Sequence, residues 1–153
     1  MKRYVLPVIC LSFIIACNTQ TAKTEQSSQS LPLQGTWKLL KGTLIEKGDT
    51  TVTDYTKNIS FIKVINADHF AFLQHNLDKD SATGLNAGGG PYTLQDSTYK
   101  EHLEYCGAKE WEGTDFSFTI TIHNDTLVQR GIEKLDKAGV NRMNTEVYVR
   151  LKK

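Results

Sequence analysis

The nine residues "AGGGPYTLQ", Ala87–Gln95, decide the fold class, because three consecutive glycines run directly into an alternating segment. A phosphate-binding loop needs the pattern G-x-x-x-x-G-K-[S/T], in which the lysine and the hydroxyl contact phosphate and metal. Here no lysine follows, and a strand pattern stands where a nucleotide site needs a helix N-terminus. We therefore interpret the glycines as a strand start at a barrel corner, with a positive φ, a bulge or a sharp bend. They could also let a ligand approach the backbone near the barrel mouth.

The same two-residue alternation recurs along the chain and predicts eight β-strands. Their predicted ranges are 36–46, 58–65, 69–76, 90–96, 98–106, 115–123, 126–134 and 144–152. Short connections favour antiparallel neighbours, so we predict an all-β fold, an eight-stranded antiparallel up-and-down β-barrel that leaves no free sheet edge. An open two-sheet sandwich is the alternative, but only the connections 77–89 and 107–114 are long.

The predicted strands differ in the composition of their two faces. In the last strand, Val147 and Val149 share one face, and Tyr148 and Arg150 lie on the other. In the predicted strand 98–106 both faces are mixed. An interior polar group is expected on that strand.

Residues 1–16 are predicted to be a lipoprotein signal peptide. Lys2 and Arg3 precede an apolar run, Tyr4–Ile15, that is shorter than the roughly 20 residues of a membrane-spanning helix. The run leads into "IIAC", Ile14–Cys17, which resembles the bacterial lipobox, in which two aliphatic residues and a small residue precede the cysteine that receives the lipid. An ordinary signal peptide with an incidental cysteine is the alternative.

The segment after the lipobox predicts a tether. Residues 17–30 comprise the lipidated Cys17 and the polar run "NTQTAKTEQSSQS", which cannot bury enough apolar surface to fold. The resemblance to lipoproteins implies that Asn18, in place of an aspartate, directs the protein to the outer membrane of the cell envelope. Residues 31–153 are then one barrel domain of roughly 120 residues, long enough for a sizeable core.

Charge and cysteine content argue against nucleic-acid binding and against a disulfide. The chain has 18 basic and 17 acidic residues, and loss of Lys2 and Arg3 with the signal peptide leaves a formal charge of −1. A nucleic-acid partner usually requires a basic excess, so none is expected. Cleavage removes Cys10 and lipidation uses Cys17, so Cys106 has no partner within the mature chain.

Two stretches carry a resemblance to a known family. "LQGTWKLL", Leu33–Leu40, resembles the G-x-W opening of lipocalins and other calycin barrels, and Ala87–Cys106 is similar to lipocalin-like domains in small lipoproteins of Gram-negative bacteria. The resemblance implies an up-and-down barrel around a small cavity. It also implies that Gly35 and Trp37 form the barrel floor, with Arg150 packed over Trp37. The function of this family is largely unassigned, so the resemblance informs the fold more than the activity.

The aromatic and ionisable residues that follow the glycines are the candidate ligand-binding residues. With the arginine of the last strand, they are Tyr92, Tyr99, Glu101, His102 and Arg150. Tyr99 and Glu101 share a strand face, where they could hydrogen-bond a polar ligand or where Glu101 could act as a base. His102 points the other way. The alternative is that these residues satisfy one another, or that Glu101 forms an ion pair with Lys63.

No catalytic or metal-binding pattern is present in the sequence. His69 and His75 share a strand face, but six residues of strand separate them by roughly 20 Å. No cluster of histidines and carboxylates has the spacing of metal ligands, and the nucleophile motif G-x-S-x-G does not occur. We therefore predict no metal, no cofactor and no assigned catalytic residue.

Three functions stay open on the sequence alone. The first is a lipid-anchored protein that holds a small, largely apolar or amphipathic ligand in its barrel and is attached to the membrane through Cys17. The second is a barrel enzyme, an isomerase or a hydrolase, with Glu101 or His102 as acid or base. It requires Glu101 to face a roomy interior with a second polar group in hydrogen-bond reach. The third is an accessory protein whose barrel is filled by apolar side chains.

Overall fold

The computed structural model describes residues 32–78 and 84–152, and all of its regular structure is strand except for two short 3₁₀ turns. The predicted signal peptide, Cys17 and the tether lie outside the described residues. Among the residues described, no helix is long and apolar enough to cross a bilayer. The strands are β1 (Gly35–Glu46), β2 (Asp49–Asp54), β3 (Ile59–Ile65), β4 (His69–Asn76), β5 (Asn86–Gln95), β6 (Thr98–Leu103), β7 (Tyr105–Cys106), β8 (Thr114–His123), β9 (Thr126–Leu135) and β10 (Val140–Arg150).

These strands occupy eight positions around a closed antiparallel barrel, because two positions are each filled by two strands. β2 and β3 both pair with β1, β2 along its C-terminal half and β3 along its N-terminal half. β6 and β7 likewise both pair with β5. Neighbours in the barrel are otherwise consecutive in the chain, and β10 closes it by pairing with β1. The predicted eight-stranded antiparallel up-and-down barrel is confirmed.

The glycines of β5 lie inside the strand, which corrects the expectation of a strand start with a positive φ. None of Gly88, Gly89 and Gly90 has a positive φ. A Cβ on Gly88 would lie 2.6 Å from the ring of Phe72, and a Cβ on Gly90 would lie 2.8 Å from the backbone nitrogen of Glu104. Glycine is needed here because neighbouring groups occupy the space of a side chain. The irregularity lies in the partner, where β6 and β7 are interrupted at Glu104.

We expect the substitution Gly90→Ala to lower the free energy of unfolding by about 1–3 kcal/mol. The added methyl would meet main-chain atoms of the β6–β7 connection, which cannot rotate away as a side chain can. Urea unfolding followed by far-ultraviolet circular dichroism measures the loss. Gly84→Ala is the matched control, because nothing lies within 4 Å of its Cβ position. Equal unfolding midpoints for the two variants would contradict the close approach.

One end of the barrel is closed by the residues that open β1 and end β10. Trp37 is fully buried, and its indole nitrogen donates a hydrogen bond of 2.8 Å to the carbonyl of Leu33. The Arg150 guanidinium lies 4.0 Å from the centroid of the Trp37 ring. Its Nη1 donates a hydrogen bond of 2.6 Å to the carbonyl oxygen of Gln34. Gly35 has φ 141° and no side chain to obstruct Arg150, since a Cβ would lie 2.5 Å from its Nη1. The geometry implied by the family resemblance is thus present at this end.

The last strand presents its polar face to the interior. Tyr148 is fully buried, whereas Val147 and Val149 lie on the opposite, outer face with partial exposure. The inward face continues through Glu146 and Asn144, which follow the same alternation. The half of the barrel away from Trp37 is therefore lined by polar groups on this strand.

Candidate ligand cavity

The half of the barrel away from Trp37 contains a cavity of about 360 Å³. Small-molecule sites usually measure roughly 300–1,000 Å³, so this volume suits a small ligand. The aromatic rings that line it are Tyr55, Phe61, Phe72, Trp111, Phe116, Phe118 and Tyr148. The charged side chains that line it are Lys63, Glu101, Glu133, Arg142 and Glu146. The accessory hypothesis required a barrel filled by apolar side chains. The cavity shows that the barrel is not filled along its whole length.

A buried ion pair forms the inner wall of the cavity. Lys63 Nζ on β3 lies 2.7 Å from Glu101 Oε1 on β6, and the two side chains are only 4% and 9% exposed. The same ammonium donates a second hydrogen bond, of 3.0 Å, to Oε1 of Gln129 on β9. Two charges this far from water are tolerated only when each is paired and hydrogen-bonded. The ion pair that the sequence left as an alternative for Glu101 is the one observed.

Aromatic rings surround the ammonium of this pair. Lys63 Nζ lies 5.5 Å from the ring centroid of Tyr148, 5.6 Å from that of Phe70 and 5.8 Å from that of Tyr99. Burial raises the pKa of Tyr99, and the nearby Glu101 carboxylate adds to the effect. The Tyr99 hydroxyl is buried and has no hydrogen-bond partner within the part of the chain that the structure describes. The rings of Phe70, Tyr99 and Tyr148 add cation–π attraction to the ion pair between Lys63 and Glu101.

A second ion pair lies nearer the rim of the cavity. Arg142 Nε on β10 donates a hydrogen bond of 2.7 Å to Glu133 Oε2 on β9. The other Glu133 oxygen accepts a hydrogen bond of 2.7 Å from the amide of Asn144. The Arg142 guanidinium also lies 5.5 Å from the centroid of the half-buried Trp111 ring. These contacts fix the position of each charged group at the rim.

Glu146 lies between the two ion pairs and has a different partner. Its Oε2 accepts a hydrogen bond of 2.7 Å from the hydroxyl of Tyr148. Burial raises the pKa of Tyr148 well above its ordinary value, and the charge of Glu146 raises it further. Tyr148 is therefore a neutral donor at any physiological pH.

Tyr55 is held over the cavity by the turn that ends β2. Asp54 Oδ1 accepts hydrogen bonds from the hydroxyl and the backbone nitrogen of Thr56, at 2.6 and 2.9 Å, and these bonds hold the pKa of Asp54 at about 2. The Asp54 carboxylate therefore keeps its hydrogen bonds to Thr56 above that pH. The turn loses them only as the pH falls through the pKa of Asp54. The Tyr55 ring fills the space above Gly42, where a Cβ would lie 3.1 Å from its Cε2.

Of the five candidate residues, only Glu101 lines the cavity. Tyr99 is buried behind it. The Tyr92 ring packs against Tyr99 at a tilt of 55° with a centroid distance of 5.1 Å, and its hydroxyl donates a hydrogen bond to the carbonyl of Asn66. His102 is exposed on the outer face. Arg150 lies over Trp37 at the closed end, away from the cavity. These positions give Tyr92, His102 and Arg150 no direct access to a ligand held in the cavity.

His102 instead forms a hydrogen bond with Asp115 on the outer surface. Its Nδ1 lies 2.8 Å from Oδ1 of Asp115 on the neighbouring strand, and the hydrogen bond holds the pKa of Asp115 below its usual value. Of the two residues proposed as acid or base, only Glu101 therefore faces the interior.

Several lining residues were not identified from the sequence. They are Gln129 and Glu133 on β9, and Arg142, Asn144, Glu146 and Tyr148 on β10. The signal was present, because the last four alternate in the pattern x-polar-x-polar along a single face. Counting back from Arg150 in steps of two identifies them, once that face is known to be the inner one.

No protein-family model matches the chain, and no curated protein matches it. The fold is an eight-stranded antiparallel barrel compatible with a calycin-like architecture. Within residues 32–78 and 84–152, no three His, Cys, Asp or Glu side chains come together as a metal site. The arrangement defines a barrel with an internal cavity that could hold a small ligand.

Proposed function

We propose that this protein is a lipid-anchored binding protein that holds a small amphipathic ligand in its barrel. The observation that carries the proposal is the cavity of about 360 Å³, whose wall combines aromatic rings with hydrogen-bonded charges. Cys17 would attach the barrel to the outer membrane of the cell envelope, a part of the proposal that rests on the lipobox-like "IIAC" alone.

The composition of the wall favours an amphipathic ligand over a purely apolar one. The rings of Phe61 and Phe72 are stacked with centroids 5.6 Å apart and offer a flat apolar surface. Glu101, Glu133 and Glu146 line the same space. A ligand without polar atoms would remove water from these carboxylates without replacing its hydrogen bonds, which is unfavourable. A ligand with an apolar body and a polar end satisfies both parts of the wall.

Native mass spectrometry tests the proposal directly. The protein is incubated with a lipid and small-metabolite extract, and we expect a reproducible adduct that disappears on denaturation. The variant Ala108→Trp should lose the adduct, because Ala108 is a half-buried wall residue and an indole there would occupy the cavity. Ala67→Trp is the matched control, since Ala67 is exposed in the turn beside the closed end. A clean apo mass for the unmodified protein, or equal adducts in both variants, would contradict a binding role for the cavity.

A barrel enzyme is a second candidate, favoured by the position of Glu101. Its carboxylate faces the cavity, and Lys63 lies 2.7 Å away as a second polar group. The ion pair with Lys63 was the alternative to an acid–base role, so catalysis would also require Glu101 to act from within this pair or to leave it. Catalysis would change the bound molecule, so recovery of a chemically altered ligand from the protein distinguishes an enzyme from a carrier.

A further inference from the structure

We propose that the ligand carries a cationic group, such as a primary ammonium, and that Glu146 binds it. This inference rests on the proposed function, because it names the chemistry of the ligand that the cavity would hold. It follows from the way in which the charges of the wall are paired.

The cavity wall has one carboxylate more than it has cations. Lys63 is paired with Glu101, and Arg142 is paired with Glu133, each at 2.7 Å. Glu146 is left with a neutral hydrogen-bond donor and no cation among the described residues. The wall therefore has a formal charge of −1, and a ligand of charge +1 would neutralise it.

The carboxylate of Glu146 also has a free hydrogen-bonding position. Its Oε2 is occupied by the hydroxyl of Tyr148, whereas its Oε1 accepts no hydrogen bond within residues 32–78 and 84–152. The neighbour of Glu146 on β1 is Gly42, which has no side chain to cover it. An ammonium in the cavity could therefore donate to Oε1 without displacing an existing contact. Hydrogen bonds between charged groups are the strongest kind available to such a site.

A row of three rings lies beside this carboxylate. Tyr55 contacts Phe61 edge-on with a centroid distance of 5.9 Å, and Phe61 contacts Tyr148 with a centroid distance of 6.4 Å. One end of the row is hydrogen-bonded to Glu146, and the other end lies over Gly42, its cross-strand neighbour. Ring faces attract cations and repel anions. The rings and the carboxylate thus favour the same sign of charge.

An anionic ligand finds less support in the same wall. Lys63 already donates to both Glu101 and Gln129, and Arg142 is held against Glu133 and the ring of Trp111. An anion would have to compete with a carboxylate for each cation. It would also add a second unbalanced negative charge to the cavity.

Three probes that share a 1-naphthylethyl group and differ in the charge of their polar end test the sign of the ligand charge. They are 2-(1-naphthyl)ethylammonium, the neutral alcohol 2-(1-naphthyl)ethanol and the anion 3-(1-naphthyl)propanoate, each titrated calorimetrically into the protein at neutral pH. We expect the ammonium to bind at least about tenfold more tightly than the alcohol, and the anion to bind most weakly. In Glu146→Gln, the advantage of the ammonium should fall by about tenfold, while the affinity for the alcohol stays the same.

Two controls make the result specific. Glu146→Gln keeps an oxygen acceptor for Tyr148, and an unchanged urea midpoint would show that it still folds. Glu104→Gln removes the same charge from the exposed outer surface and should leave all three affinities unchanged. Equal or tighter binding of the alcohol or the anion would overturn the cationic inference and leave the binding barrel intact. Failure of all three probes to bind would count against the proposed function itself, and the inference would fall with it.

Discussion

The variant Lys63→Met is expected to lose about 3–5 kcal/mol of unfolding free energy, one of the two largest effects we predict. Methionine fills a similar volume, but it leaves the carboxylate of Glu101 buried without its cation. It also leaves the Oε1 of Gln129 without its donor. The cost therefore comes mainly from an unpaired buried charge rather than from lost packing. Urea denaturation, monitored by far-ultraviolet circular dichroism, measures it.

The double variant Lys63→Met with Glu101→Leu separates these causes. Because it removes both charges, it should recover most of the stability that the single variant loses. Lys57→Met is the surface control, since the Lys57 side chain is 75% exposed in its ion pair with Asp54 and such pairs contribute about 0–1 kcal/mol. If Lys63→Met costs no more than Lys57→Met, the buried pair does not stabilise the barrel as described.

The variant Trp37→Ala is expected to destabilise the protein by a similar amount, about 3–5 kcal/mol. The indole is fully buried and closes one end of the barrel. Its loss leaves a large void, removes the donor to the Leu33 carbonyl and removes the ring under the Arg150 guanidinium. Urea denaturation followed by far-ultraviolet circular dichroism again provides the measurement.

Trp111→Ala provides the comparison for this variant. Trp111 is only half-buried at the rim of the cavity, so its removal should cost much less unfolding free energy. Similar losses for the two variants would show that the closed end does not contribute more to stability than the rim.

Fold class was predictable from the sequence because strand alternation and short connections are local properties. The observed β4 has the predicted bounds, and β10 extends the last predicted strand toward its N-terminus, to Val140. β2 was missed because "DTTVTD" contains a single apolar residue, although the two-residue turn Lys47–Gly48, with positive φ at both positions, joins it to β1 as a hairpin. The glycines of β5 were correctly taken as a sign of a barrel, but the expected reason, a strand start with a positive φ, was wrong. They are needed because neighbouring groups pack closely against them, and those groups lie elsewhere in the chain.

The candidate site was harder to predict than the fold. A period of two shows which residues share a face, but it does not show which face is inside. In β10 the valines lie outside and the polar residues inside, so the side chains Glu146 and Arg142 were overlooked. Glu101 was identified because its strand is mixed on both faces. Its pairing with Lys63 could be offered only as an alternative, because the contact spans 38 residues of chain.

The placement of the two tryptophans has a spectroscopic consequence. Trp37 is sealed at the closed end beneath Arg150, and Trp111 lies against the cavity at the rim. They are the only tryptophans in the chain, so its intrinsic fluorescence is the sum of two emitters in different surroundings. A molecule that enters the cavity alters the emission of Trp111 and leaves that of Trp37 as an internal reference, whereas unfolding alters the emission of both. Intrinsic tryptophan fluorescence can therefore distinguish a ligand bound in the cavity from unfolding of the barrel.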